Sequence, residues 1–258
     1  MQLSCTRWCC PIIATNRPRR CHLSTTPSYS RTTPWMHSLH THPAPSTSHV
    51  TPTKPLSVPQ LLSHLSALSS PSNPVRGAAF EHVSLALLTS LPLSLHLSHT
   101  GQSNDQGVDL LGILSSPPTA SPSTLHRLVC QCKMEGKPTG AAALRGLEGT
   151  VGQYAAGSGG SVVGMLVSAQ PYTAQAEAQW RRSTVPLLLV SVDTQAAHAV
   201  AEVEGVERMR AEELQGALLR CLRRFSLNPA ATAVLPHIRV VKQTLGTAQP
   251  YIAVKQVG

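Results

Sequence analysis

Glu81, Asp109, Gln131 and Lys133 are the residues of this 258-residue chain whose types and order could carry out chemistry together. Gln131 and Lys133 stand two apart, so in a strand they share one face while Cys130 and Cys132 share the other. Asp109 sits near the start of an earlier extended stretch. Gly107 frees the backbone to enter that stretch, and Leu111 and Ile113 lie on the carboxylate's own face. Antiparallel pairing of the two stretches would bring Asp109 close to Gln131. Phosphodiester hydrolysis requires a hard divalent cation held by oxygen, a positioned water and positive charge near the developing phosphorane. Asp109 is the expected principal metal ligand, with the side-chain oxygen of Gln131 and the main-chain carbonyl of Cys132 filling further positions. Lys133 is expected to orient the water or stabilise charge, and Glu81 to bind the metal through water. Oxygen donors of this kind suit Mg²⁺ or Mn²⁺.

Positioning these residues falls to alternating helical and extended patterns that begin near Val75 and run for roughly 180 residues, enough for one well-buried α/β core. Residues 76 to 88 read as a helix with Phe80, Val83, Leu87 and Leu88 as its apolar stripe and Glu81 on its flank. Residues 93 to 98 alternate Leu with Ser and His, a half-buried strand, and a polar turn over 99 to 107 leads to a second strand over 108 to 114. A Ser/Pro loop follows over 115 to 124, then a third strand over 127 to 133. A helix over 140 to 155 closes on the glycine-rich run 157 to 160. Buried strands over 161 to 168 and 186 to 192 flank a short helix at 173 to 182, and a long amphipathic helix covers most of 197 to 225.

The first 80 residues differ in kind. They contain no Asp or Glu but seven Arg and Lys, so most of the formal net charge of +9 belongs there and does not by itself indicate a nucleic-acid-binding face. Scattered Arg with many Ser, Thr and Pro is the composition of an organelle transit segment, with the mitochondrion favoured over the plastid. Residues 1 to 74 are therefore expected to be a disordered leader and linker, and 75 to 258 a single domain. The six His between His22 and His64 are expected to lack fixed geometry, and His82, His96 and His99 to be surface residues. No segment has the length and apolarity of a membrane span, so no membrane insertion is expected. Cys130, Cys132 and Cys221 read as reduced thiols, since no second Cys or His pair sits at zinc spacing nearby.

Gly107 to Leu110 (GVDL) followed by Cys130 to Lys133 (CQCK) resembles the PD-(D/E)xK superfamily in the variant with Gln in place of the acid. More narrowly it is similar to the type IV, Mrr-like restriction-endonuclease group. Phe80-Glu81, LRGLEG at 144 to 149 and LVSAQPYTAQA at 166 to 176 match that group in order, over roughly residues 77 to 193. The run NDQGVDLLG at 104 to 112 with QCK and LEG is most similar to a mitochondrial family that includes the fungal required for respiratory growth protein 7. The resemblance implies an α/β fold with a mixed sheet flanked by helices, a restriction-endonuclease-like core in the order α-β-β-β-α-β. It also implies a nucleic-acid role with DNA as partner. A homodimer is an open arrangement.

Two functions stay open: a divalent-metal-dependent endonuclease on organellar DNA, or a catalytically inactive nucleic-acid-binding or assembly factor. Gln131 keeps the second alive, because an amide brings no charge to a cation. Arg145 and Glu148 are three apart on one helical face, a local ion pair by spacing and candidate site supports by resemblance. Ser168 and Thr173 could donate to phosphate or cap a helix, and Asp105 reads as a turn-forming residue. Arg181, Arg182, Arg223 and Arg224 could contact a phosphate backbone, though clusters this small are usually solvated faces. An aromatic content of 3% disfavours a base-stacking platform.

Overall fold

The computed structural model describes residues 55–100, 107–117, 124–158, 160–243 and 251–257. The expected leader up to residue 54, Asp105, most of the turn 99 to 107, the tip of the 115 to 124 loop and part of the glycine-rich run lie outside the described residues. Along the chain stand α1 (Val58–Ala67), α2 (Asn73–Thr89), β1 (Leu95–His99), β2 (Leu110–Ser115), β3 (Leu125–Lys133), α3 (Ala141–Ser158), β4 (Val162–Ser168), α4 (Ala174–Arg182) and β5 (Leu187–Val192). There follow α5 (Thr194–Ala201), a 3₁₀ turn, α6 (Ala211–Leu219), β6 (Leu222–Leu227), α7 (Pro229–Val234), β7 (Ile238–Gln243) and β8 (Tyr251–Gln256).

Six strands form one sheet in the order β1-β2-β3-β4-β5-β6. The pairs β3/β4 and β4/β5 are parallel and the remaining neighbours antiparallel, so the sheet is mixed, as the resemblance implies. Strand alternation divides the core in two. Leu128, Cys130, Met165, Val167, Leu188 and Val190 pack with Phe80, Leu65 and Leu214 on the side of α1, α2 and α6. Val129, Leu166 and Leu189 pack with Leu144, Leu147 and Trp180 on the side of α3 and α4. No helix among the described residues is long and apolar enough to cross a membrane.

Two expectations are corrected. The ordered domain begins before residue 75: α1 starts at Val58 and buries Leu61 and Leu65 in the core. Pro59 occupies the first helical turn, where it displaces no hydrogen bond, and Ser57 N donates to Gln60 Oε1 at 2.9 Å. A Ser/Pro-rich composition thus conceals a short helix whose Leu61 and Leu65 share one face. The second correction concerns the long helix over 197 to 225, which is instead α5, a 3₁₀ turn, α6 and a strand. Gly205, at the start of the 3₁₀ turn, has a φ of 76°, in the left-handed region that favours glycine. Leu222 and Arg224 to Leu227 pair with β5, with Arg223 at a register shift between them, so residues read as a helical face become an edge strand.

Candidate active site

The carboxyl ends of β3, β4 and β5 and the start of β2 meet at one end of the sheet. Leu110 pairs with Cys130, which sets Asp109 level with Gln131. Asp109 N donates to Cys130 O at 3.0 Å, and the Asp109 carboxylate accepts from Cys132 N–H through Oδ2 at 2.5 Å. Thr100, just after β1, holds the other side: its N–H and hydroxyl donate to Asp109 O, both at 3.0 Å. Asp109 is therefore fixed from both neighbouring strands, by backbone and side chain alike.

Gln131 and Lys133 lie on the α3 side of the sheet and Cys130 and Cys132 on the α2 side, the division that strand alternation requires. Gly107 approaches Gln131 closely; a Cβ there would stand 2.9 Å from Gln131 Nε2, and its φ of 77° adds a second reason for glycine. Lys133 O accepts from Ala169 N at 3.0 Å, which anchors the lysine backbone to the end of β4. Among the described residues neither the Gln131 amide nor the Lys133 ammonium is held by a side-chain hydrogen bond or ion pair. The backbone of Cys132 faces β2, beyond the last paired residue, so its carbonyl lies on the same side of β3 as Asp109.

The donors here are oxygens: one carboxylate, one amide and one carbonyl. The Cys132 thiol does not compete with them, because it faces the other side of the sheet and titrates well above its ordinary value. The hydrogen bond with Cys130 raises it most, and burial adds to that. Such a set fits a hard divalent cation whose coordination is completed by substrate oxygens and water. With a single formal charge it would hold that cation weakly, and no group of three or more His, Cys, Asp and Glu is arranged for a metal among the described residues.

Other expected site residues are placed differently. Glu81 points to His99 at the end of β1, with Oε2 2.7 Å from Nε2. His99 stacks on His82 at 4.7 Å between centroids, and His82 on His64 at 4.2 Å. His64 therefore has fixed geometry, contrary to expectation, because α1 is ordered, and His82 and His99, expected at the surface, are half-buried. Arg145 and Glu148 form no ion pair with each other. Both reach Gln179 of α4, which donates to Glu148 at 2.7 Å and accepts from Arg145 at 3.4 Å, so they join two helices rather than support the Asp109 corner. Ser168 is buried, with its hydroxyl 2.6 Å from Thr139 Oγ1, and Thr173 caps α4 by accepting from Ala176 N. The Ser168 hydroxyl is buried in that pair, whereas Thr173 uses only an acceptor lone pair in the cap. His99 and Thr100 are the site neighbours that sequence reading missed; a polar turn of unknown path offered no signal for their proximity to Glu81 and Asp109.

Comparison with known proteins agrees with the fold. Residues 73–199 match a family model described as restriction endonuclease, Mrr_cat. That segment holds the sheet through β5 and the whole Asp109 corner. Among solved structures the chain is similar to the MspJI restriction endonuclease in complex with a 27-mer oligonucleotide, at 15% identity and a TM-score of 0.32, over 66% of this chain and 39% of that one. It is also similar to the DNA modification-dependent restriction endonuclease AspBHI, at 17% identity and a TM-score of 0.38, over 65% of this chain and 43% of that one. The chain thus spans less than half the length of either. No curated protein matches it.

Proposed function

We propose that this protein is a divalent-metal-dependent nuclease acting on DNA. The observation that carries the reading is the level pairing of Asp109 with Gln131, locked by the Cys132 N–H···Asp109 contact. It places a carboxylate, an amide oxygen and a main-chain carbonyl at one strand end, with Lys133 a single residue further on. A bound Mg²⁺ or Mn²⁺ supplies Lewis acidity toward phosphate oxygens. Asp109, Gln131 and the Cys132 carbonyl would hold it. Lys133 orients the attacking water and offsets charge on the phosphorane as the leaving P–O bond breaks in line with the new one.

A second reading is a DNA-binding or assembly factor that has lost catalysis. Two observations favour it: Gln131 brings no charge, and Glu81 is engaged by His99. Titration of Mg²⁺ and Mn²⁺ into the full chain with plasmid, linear and branched DNA separates the two, run beside Asp109→Ala and Lys133→Ala. The nuclease reading expects metal-dependent nicking that both substitutions reduce by on the order of 10²-fold or more. Nicking that survives both removes the site, and binding without cleavage establishes the second reading.

We further place the protein in the mitochondrial matrix, in genome maintenance or respiratory growth. This rests on the acid-free, Arg- and Ser-containing leader and on the motif resemblance to the mitochondrial family. A reporter fused to residues 1 to 75 should be imported; a reporter that stays cytosolic removes the assignment.

A further inference from the structure

After Glu213 the chain contains no Asp or Glu, yet it carries Arg220, Arg223, Arg224, Arg239, Lys242 and Lys255. The preceding stretch, 202 to 213, holds five Glu against Arg208 and Arg210. Charge on the folded domain is thus segregated, although residues 81 to 258 as a whole are nearly balanced. Folding places much of the acid-free segment along one edge. β6 pairs only with β5, and an open trough of about 770 Å³ runs between β6 and the β7–β8 hairpin. Arg223, Arg224, Arg239 and Lys242 line it, with Glu177 as its one acid.

Packing does not account for the cations of the hairpin. Arg239 lies directly opposite Lys255 in the hairpin, and like charges facing each other across strands destabilise a sheet. Both are exposed, as is Lys242, and among the described residues no carboxylate pairs with any of the three. The deeper arginines are held in place. Arg224 bonds Glu177 at 2.8 Å and lies 5.5 Å and 5.3 Å from the ring centroids of Tyr172 and Trp180. Glu177 is shared with Arg181 at 2.6 Å, and Asp193 pairs with Arg223, so two carboxylates serve three guanidiniums and leave the cluster net positive.

The trough also leads to the candidate active site. It shares Glu177, Arg223 and Arg224 with a second hollow of about 440 Å³, which reaches Gln170 and Asp193 at the carboxyl ends of β4 and β5. Lys133 pairs in register with Ser168, two residues before Gln170. From β3 to β6 is three strand spacings, roughly 14 Å, or about four base steps of a duplex. Trp180 is buried, and the trough's exposed positions are Arg223, Thr232, Arg239, Val240 and Lys242, none of them aromatic, so its contacts are with backbone charge rather than with stacked bases.

We propose that the trough between β6 and the β7–β8 hairpin is a phosphate-backbone track for duplex DNA whose scissile phosphate lies at Asp109 and Lys133. The proposal rests on the DNA reading above, and a binding assay without cleavage distinguishes the two. The full chain is titrated into a labelled duplex of mixed sequence in Ca²⁺ over a series of salt concentrations, beside Arg239→Ala/Lys242→Ala, Arg239→Lys/Lys242→Arg and Arg208→Ala. The alanine pair is expected to weaken binding about tenfold and to lower the slope of log affinity against log salt by about two. The charge-conserving pair and Arg208→Ala, in the acidic stretch, should bind as the native chain does. An alanine pair with native affinity and slope overturns the track. So does an alanine pair that leaves DNA binding intact and changes only self-association, which would assign the trough to a second copy of the chain. Failure of the native chain to bind any duplex overturns the DNA reading itself, and the track with it.

Discussion

Two side-chain amides in this domain stand in opposite conditions. Asn228, just after β6, is fully buried; its Nδ2 donates to the carbonyls of Trp180, Ser183 and Val185, and its Oδ1 accepts from Leu187 and Ala231 N–H. Gln131, at the other end of the sheet, is half-buried, and among the described residues its amide is not hydrogen-bonded. An amide with every valence used is architecture: Asn228 closes the α4–β5 connection and caps α7 in one step. An amide with open valences, on a backbone as firmly held as that of β3, is free for a ligand.

The largest effect that tests this contrast is on stability. Asn228→Ala should cost roughly 3–5 kcal/mol in urea denaturation, because it leaves several buried groups without partners. Gln131→Ala should stay within about 0.5 kcal/mol, and equal losses would erase the distinction. Gly107→Ala comes next. It combines positive-φ strain of roughly 1–2 kcal/mol with displacement of the Gln131 amide, so it should alter cation or substrate binding as well as stability. Gly205→Ala meets nothing within 4 Å and should show only the backbone cost. Gln131→Glu would add a second charge at the corner. Calorimetric titration of Mg²⁺ should show about tenfold tighter binding, and an unchanged affinity would mean that this side chain does not face the cation.

The smallest effect concerns histidines packed without partners. Both ring nitrogens of His126 are buried and unbonded, and its pKa is lowered by burial and then by neighbouring His237. Burial also lowers His237. A lowered folded-state value favours the neutral ring. The stability it contributes is therefore full above the unfolded value of about 6.5 and is lost as pH falls through the folded value. Urea midpoints should decline on acidification below about 6.5, and His126→Phe should flatten that decline.

The run from α2 to β5 was legible because each element carries its own period and its own stop: Leu alternation in β1, the unbroken apolar runs of β4 and β5, Pro92 after α2. The relation of Gln131 to Lys133 was legible for the same reason, since alternation along a strand is local. The stretch 197 to 225 was not. Its Ala, Leu, Glu and Arg content favours helix throughout, and the free edge of β5 recruits Leu222 to Leu227 into the sheet against that preference. The helix α1 was hidden by the Ser- and Pro-rich composition around it, and its stability comes from burying Leu61 and Leu65 against elements far along the chain.

By itself, the sequence determined the order of elements from α2 to β5, the face shared by Gln131 and Lys133, and the acid-free character of its last 45 residues. Those properties depend on residue type and on spacing within one segment. Only the tertiary structure decided that Asp109 meets the backbone of Cys132, that Glu81 is taken by His99, and that Arg223, Arg224, Arg239 and Lys242 line one trough. Each of those contacts joins separate elements whose approach is set by strand register and by which helix covers which face of the sheet, quantities that no local pattern encodes.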